Sequence, residues 1–264
     1  MPQQPDHPQE APVAVRGTKP VNDLATCVEI LKAAYVCTVA HVEVPAGADA
    51  SQAVPRCVPM VYAYHEEGTE QLLYLHGSLY WPPATPPTHP TLQHLSRTEG
   101  VPVSVTVTLV DGLFVGRAAI STSLNFRSVV VNGIARPVAE GDRAKSFQAL
   151  TDQIIPGRWS EFRPIKDGRG GSPSELDTDG KSTPTIGVLS VSITDMTAQA
   201  KTHCISEPEH ETQADRDWNE GQNWAGLLPI RQIYGPALPD STAAQRGSAV
   251  PRSVQALIAG CGVG

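Results

Sequence analysis

The sequence predicts a mainly β protein, an antiparallel barrel with a few helices packed against its outside. In about six or seven segments the character of the side chains alternates from one residue to the next, and this period of two is the period of a β-strand. Few segments show the apolar stripe of a helix, and no internal repeat is evident. The chain has 264 residues, of which 40% are hydrophobic and 18% charged, so it can bury one sizeable core.

The chain should begin with an arm and a helix. Residues 1–20 are rich in proline and glutamine without periodicity, which is typical of a disordered arm. A helix is expected to start near Asn22, because asparagine is a good N-cap. Apolar residues at helical spacing form its predicted stripe: Leu24, Val28, Leu31 and Tyr35.

Three strands should follow this helix. The first covers residues 36–43 and the second covers residues 53–64. Pro55 and Pro59 cannot donate to a β ladder, so the second strand should lie at an edge or face a ligand there. The third strand covers residues 71–76.

The middle of the chain combines a proline-rich loop with a hairpin signal. Five prolines within residues 81–90 exclude regular structure, so this insertion should be an extended loop. Residues 101–110 alternate strictly, with valines on one face and proline, serine and threonine on the other. Asp111-Gly112 is a strong hairpin signal, and it predicts a turn followed by a return strand over residues 113–120.

One long strand is predicted over residues 125–138. Both of its faces are largely apolar, which is typical of a barrel strand covered by a helix or a second subunit. Arg127 and Ser128 at its start offer a guanidinium and a hydroxyl, which suit a phosphate. Alternatively, Arg127 pairs with a carboxylate and Ser128 is a solvated strand end. Gly133 would allow a bend or bulge.

The remaining elements set the domain boundaries. A helix is predicted over residues 141–155 and a last strand over residues 185–194, followed by a turn or short helix over residues 195–201. One barrel domain should therefore span residues 21–235. Residues 236–264 form a tail rich in proline, serine and glycine.

Composition excludes several classes of protein. The net charge of -7 argues against a nucleic-acid partner, and no apolar run is long enough for a membrane helix. The chain start lacks the features of a secretory signal. Five scattered cysteines without a C-x-x-C pair indicate the reduced thiols of a cytoplasmic protein. The histidines show no ligand spacing, so no metal site is expected.

Six short segments in a fixed order carry a resemblance to a known family. They are residues 58–62, 73–78, 105–113, 125–133, 200–201 and 224–226. Over roughly residues 20–232 the chain resembles the flavin-nucleotide-binding branch of the pyridoxamine 5'-phosphate oxidase-like family, the FMN-binding split barrels. The resemblance implies a six-stranded antiparallel split barrel that forms a homodimer, with FMN in a groove between the subunits.

The resemblance also implies which residues bind the cofactor. Two strands would contact the isoalloxazine ring and ribityl chain through Val58, Pro59, Met60, Val61, His76, Gly77 and Ser78. Phe126, Arg127 and Ser128 would approach the phosphate and ring from the subunit contact. Relatives usually carry a cation shortly after His-Gly-Ser, where this chain has its proline-rich insertion. Relatives also often have tyrosine in place of Phe126. Either Arg127, Arg97 or Lys201 then binds the phosphate, or FMN binding is weakened.

Three side chains have two interpretations each. His76 is the candidate catalytic residue, because a neutral imidazole could donate to flavin or substrate; alternatively it bonds a backbone carbonyl at the barrel rim. Lys201 could offset the charge of the phosphate or the reduced flavin, or be a surface lysine. Trp224 could stack on the flavin, or anchor the C-terminal segment in the core.

The leading hypothesis is an FMN-dependent oxidoreductase that acts on a small organic molecule. One alternative is a flavin-binding module without turnover. Another is a split barrel that binds a different planar ligand, such as haem or a deazaflavin. Oxidation of pyridoxamine phosphate itself is not expected, because the basic C-terminal substrate motif of those enzymes is not visible in the sequence.

Overall fold

The computed structural model describes residues 19–21, 23–45, 47–78, 90–116, 119, 122–162, 186–201 and 224–260. The elements in chain order are β1 (Lys19–Val21), α1 (Leu24–Ala33), β2 (Val36–Glu43), β3 (Val54–Glu67), β4 (Glu70–Ser78), α2 (Pro90–Leu95), β5 (Val101–Val115), β6 (Ser123–Pro137), α3 (Arg143–Ile154), β7 (Ile186–Lys201), β8 (Gly226–Pro229), α4 (Ser241–Arg246) and α5 (Arg252–Gly260). The predicted arm up to residue 18 and nearly all of the proline-rich insertion lie outside the described residues.

Six strands close into a barrel. The sheet order is β1-β7-β4-β3-β2-β5-β6, and β6 also pairs with β7, so β2 to β7 form a ring. The β2–β3, β2–β5, β3–β4 and β4–β7 pairings are antiparallel. The six-stranded antiparallel barrel expected from the sequence is therefore confirmed.

Closure of the ring brings the backbones of β6 and β7 close together at Gly133. A Cβ atom there would fall on the Ser192 carbonyl oxygen and 2.7 Å from Cγ1 of Val191. The Thr194 hydroxyl donates to the Asn132 carbonyl at 2.9 Å, beside this contact. Only glycine fits such an approach without displacing a backbone.

Contacts along the chain define two compact units, of which the larger comprises Val21–Leu109, Ser128–Ala198 and Gln232–Gly264. The barrel interior forms its main core, because the inward side chains of the strands are apolar. Fully buried members include Leu31, Val39, Tyr62, Leu73, Leu75, Leu95, Val105, Val129 and Val191. Full burial of one such aliphatic side chain stabilises the fold by about 1.5–3 kcal/mol.

Helix α3 covers part of the outside of the barrel. Its Leu150 packs with Ala63 of β3, with Leu72 and Tyr74 of β4, and with Val188 of β7. Gln153 at the end of the helix donates to the Leu31 and Ala34 carbonyls at 2.7 and 2.6 Å, and these carbonyls belong to the last turn of α1 and its C-cap. Both faces of β4 are thus buried where α3 lies.

The described residues of the smaller unit fall within 19–20, 110–127, 199–201 and 224–231. Strand β8 pairs antiparallel with the end of β5, from Gly112↔Pro229 to Val115↔Gly226. The Ile230 amide donates to the Asp111 carbonyl at 2.9 Å and continues this contact.

Three local predictions are wrong. Asp111-Gly112 is not a hairpin turn, because β5 runs through it to Val115 and Gly112 pairs with β8. Residues 195–201 continue strand β7 instead of forming a turn or helix. Helix α1 is capped by Asp23, whose carboxylate accepts from the Ala25 and Thr26 amides, and not by Asn22.

The predicted stripe of α1 also differs from its buried face. Cys27, Ile30 and Leu31 face the core, whereas Leu24 is 53% exposed. The segment predicted as a tail contains the two short helices α4 and α5. Within the described residues, no helix has the length and apolar character to cross a membrane.

Candidate functional site

His76 lies on β4, on the outer side of the barrel sheet. It pairs with Val61 of β3 and Val188 of β7, and both neighbours contribute to the cluster under α3. The rings of His76 and Phe147 pack edge to face, with their centroids 6.1 Å apart and their planes at 73°. None of the described residues forms a hydrogen bond with its imidazole. Burial lowers the pKa of His76, so the ring is neutral near pH 7.

An open, uncharged surface begins beside His76. The outward residues of three neighbouring strands form this uncharged sheet face: Pro55, Cys57, Pro59 and Val61 on β3, Val36, Thr38, Ala40 and Val42 on β2, and Pro102, Ser104 and Thr106 on β5. None of these side chains is charged. Val36 and Val42 are 52% and 58% exposed, so this surface presents apolar side chains to water.

His76 marks the border between this surface and the part covered by α3. The registers place His76, Val61 and Val36 side by side in one row across β4, β3 and β2. Val61 also packs against the cluster under α3, whereas Val36 is exposed. A flat molecule on the uncharged sheet face would therefore meet His76 at one end.

The predicted cofactor residues of β3 and β4 divide between two sides of the sheet. Pro59 and Val61 face outward, as His76 does. Met60 is buried in the barrel core, and Val58 packs against that core. A Cβ atom on Gly77 would lie 2.9 Å from Cδ1 of Leu92 and 3.3 Å from Cε of Met60, so this glycine faces the interior.

Among the described residues, the proline-containing part of β3 is paired on one side only. Residues 54–61 pair with β2, but the described pairing with β4 begins only at Val61↔His76. Pro55 and Pro59 lack backbone donors there. Ser78, at the end of β4, pairs with Ile186 of β7.

Arg127 in the smaller unit forms a two-pronged pair with a carboxylate. Its Nε and one Nη donate to the two oxygens of Asp111, each at 3.0 Å. This is the carboxylate pairing that the sequence leaves open as an alternative. Both side chains are about one-third exposed (36% and 37%), so the pair is accessible to solvent. The neighbouring Phe126 and Ser128 are half-buried.

Two further predicted residues belong to the smaller unit. Lys201 at the end of β7 is half-buried and donates to the Ser123 hydroxyl at 2.7 Å. Trp224 is 62% exposed, and its indole lies against the backbone of Gly226. This exposure contradicts the core-anchor interpretation of Trp224 within the described chain and leaves the indole accessible.

Sequence reasoning missed most of the uncharged sheet face. Thr38, Ala40 and Cys57 were not singled out, although the strands that carry them were predicted. The available signal was the lack of any charge on one alternating set of residues in each of three strands. Among the described residues, no group of three or more His, Cys, Asp or Glu could hold a metal ion.

Comparison with known proteins places this geometry in a family. The profile of the pyridoxamine 5'-phosphate oxidase family matches residues 23–199. No curated protein matches the sequence. A FAD and haem binding protein from Mycobacterium smegmatis has a similar fold, with a TM-score of 0.66 and 24% identity over 90% of this chain and 97% of that one. The fold of a flavocytochrome from Azotobacter vinelandii is also similar, with a TM-score of 0.62 and 24% sequence identity over 90% of this chain and 91% of that one. The chain belongs to the pyridoxamine 5'-phosphate oxidase family, and its fold is the split barrel of that family.

Proposed function

We propose that this protein binds FMN on the uncharged sheet face, between two copies of the chain, and acts as an oxidoreductase on a small organic molecule. The observation that carries the proposal is the open, uncharged surface that begins beside His76. An isoalloxazine ring is flat and largely apolar, so it can lie on this surface without desolvating a charged side chain. A bound flavin would supply hydride or electron transfer.

The chain's own residues would orient the flavin and the substrate. Neutral His76 can donate from one ring nitrogen and accept at the other. Phe147 restricts the orientation of that ring through its contact. Pro59 and Val61 offer apolar contact beside it and exclude water from one side of a bound ring.

A second copy of the chain is the proposed cover for this surface. A two-fold contact places each surface against itself, so a charged surface would meet its own charge. The uncharged sheet face avoids this repulsion, although the chain carries a net charge of -7. Covering Val36 and Val42 would also remove exposed apolar area from water. We place this homodimer in the cytoplasm, since Cys27, Cys37 and Cys57 are all free thiols.

Arg127 and Lys201 are the proposed phosphate ligands. A partly exposed pair such as Arg127–Asp111 contributes about 0–1 kcal/mol, so a doubly charged phosphate can compete with the Asp111 carboxylate. No described carboxylate pairs with Lys201, whose ammonium bonds a neutral hydroxyl.

Haem is the second candidate ligand, because the Mycobacterium smegmatis protein is named for binding both FAD and haem. Titration of the purified full-length chain with FMN, FAD and haem, followed by absorbance and flavin fluorescence, separates these ligands. Saturable FMN binding supports the proposal. Binding of haem with no flavin binding would overturn it.

The location is tested by placing a charge on the surface. Thr38→Glu puts a carboxylate in the middle of the uncharged sheet face, and Gln148→Glu puts the same charge on an exposed position of α3. Of the two variants, only Thr38→Glu should abolish the dimer in sedimentation velocity and weaken FMN binding. Equal behaviour of the two variants would contradict this location.

Turnover separates an oxidoreductase from a passive flavin carrier. The loaded protein should be bleached by NADH or NADPH under anaerobic conditions and recover its colour with a small organic oxidant. A flavin that binds but shows no reduction by either donor would leave only the carrier function.

A further inference from the structure

An unusual histidine contact lies inside the barrel, away from the uncharged sheet face. His41 on β2 points inward and is 4% exposed, and both of its ring nitrogens are buried without a hydrogen-bond partner in the described part of the chain. It stacks on His94 of α2, with centroids 4.9 Å apart and planes at 22°. A buried polar group without a hydrogen bond destabilises a fold, so an apolar residue would fill this position more stably.

Helix α2 connects this contact to the segment beside His76. The helix has six residues, which is too short to be stable alone, so its packing must hold it in place. Leu92 and Leu95 are buried in the barrel core. Leu92 lies against the inner side of Gly77, the residue that follows His76 on β4. The position of α2 therefore sets the packing behind the candidate site.

We propose that His41 and His94 form a proton-sensitive clasp: when the stacked pair takes up a proton, α2 detaches from the barrel and β4 loosens next to His76. The evidence for the clasp itself is the contact between His41 of β2 and His94 of α2. Its effect on ligand binding rests on the proposed function.

The charges around His41 do not accommodate an imidazolium. From α2 it faces only His94, a second base. Glu43 lies two residues along β2, and its carboxylate accepts from Arg56 of β3 at 3.1 Å, so the attraction by Glu43 is partly offset by Arg56 and is outweighed by burial and His94. The Val42 backbone favours the protonated ring, but neither ring nitrogen forms a hydrogen bond in the described part of the chain. A protonated His41 therefore gains full hydration only if α2 moves away.

The direction of the pH effect follows from linkage. Burial and the neighbouring His94 lower the pKa of His41 below its usual 6.5 in the folded protein. The open form therefore binds a proton more readily, and the closed clasp loses stability as the pH falls below about 6.5. For one proton, the opening equilibrium should rise in that range by at most about tenfold per pH unit.

Hydrogen exchange of α2 tests the clasp without any cofactor. The protection of residues 91–96, corrected for the intrinsic rate of exchange, should fall as the pH decreases below ~6.5 in the natural chain, by at most about tenfold per pH unit. His41→Phe keeps an aromatic ring but cannot take up a proton, so its α2 should be insensitive to pH. His41→Leu removes the same titratable group with a smaller apolar side chain, and it provides the test in case His41→Phe does not fold.

The matched control is His65→Phe, because His65 lies 5.4 Å from the ring of Tyr74 but takes no part in the stacked pair. This variant should keep the full pH dependence. Protection of α2 that is constant with pH in the natural chain, or that changes equally in His41→Phe or His41→Leu, would overturn the clasp. If the clasp opens but the affinity for FMN stays constant over the same pH range, the proposed clasp is supported and its proposed effect on ligand binding is refuted.

Discussion

Gly133→Ala should destabilise the barrel by about 3 kcal/mol, at the upper end of the usual cost of overpacking a core. The added methyl would fall on the Ser192 carbonyl oxygen and 2.7 Å from Cγ1 of Val191. The first of these groups is backbone, so relief requires β6 and β7 to separate at the closure of the ring. For a chain of this size, 3 kcal/mol corresponds to a decrease in Tm of about 6–12 °C.

Gly141→Ala is the matched control, because a Cβ atom at Gly141 would meet no other atom within 4 Å. Its effect should stay within about 0.5 kcal/mol. Differential scanning calorimetry of both variants beside the natural chain gives the comparison. If Gly133→Ala melts within about 2 °C of Gly141→Ala, the β6–β7 backbone approach cannot be as close as described.

Three further outcomes are expected. Arg127→Ala should weaken FMN binding about 10-fold or more in fluorescence titration, because a charge-assisted contact to phosphate is lost, and an unchanged Kd would remove Arg127 from the phosphate site. Trp224→Ala should change the free energy of unfolding by less than about 0.5 kcal/mol, since the side chain is 62% exposed; a larger loss in denaturant titration would show a core role. The Ser253 hydroxyl donates to the Glu161 carboxylate at 2.5 Å, and Arg158 donates to the same carboxylate. These hydrogen bonds lower the pKa of Glu161 below 4.5. The carboxylate therefore stabilises the start of α5 above pH 4.5, and this stabilisation should disappear as the pH falls below that value. Glu161→Gln should abolish that acid dependence in hydrogen exchange of α5, and persistence of the dependence would refute this role.

The barrel was predictable because its strands carry local signals. Val129 and Val131 are both buried and lie within β6, as the run of β-branched residues predicts. The family match over residues 23–199 confirms the resemblance that the ordered motifs indicate. Strand identity thus depended on short-range patterns that a single sequence displays.

The false hairpin had a long-range cause. Asp111-Gly112 reads as a turn locally, yet Gly112 pairs with Pro229 and the Asp111 carbonyl accepts from the Ile230 amide. These partners lie more than a hundred residues away in sequence, so no local pattern could reveal them. The added ladder keeps β5 extended through a dipeptide that favours reversal.

The inward and outward faces were equally difficult to assign. In β2, one alternating set contains Cys37, Val39 and His41, and the other contains only uncharged residues. Alternation shows that two faces exist but does not show which one is buried when neither carries much charge. The buried His41 and the open sheet face both escaped prediction for this reason.

The prolines of β3 bear on how copies of this chain can associate. Within the described part of the chain, the uncharged sheet face borders an edge of β3, and strands added to that edge one after another would form an open-ended assembly. Pro55 and Pro59 remove two of the amide donors that such growth needs along that edge. Stacking of one sheet on another does not use those donors, so it remains possible. The same two residues that look like defects in a strand therefore favour a finite pair over a fibre.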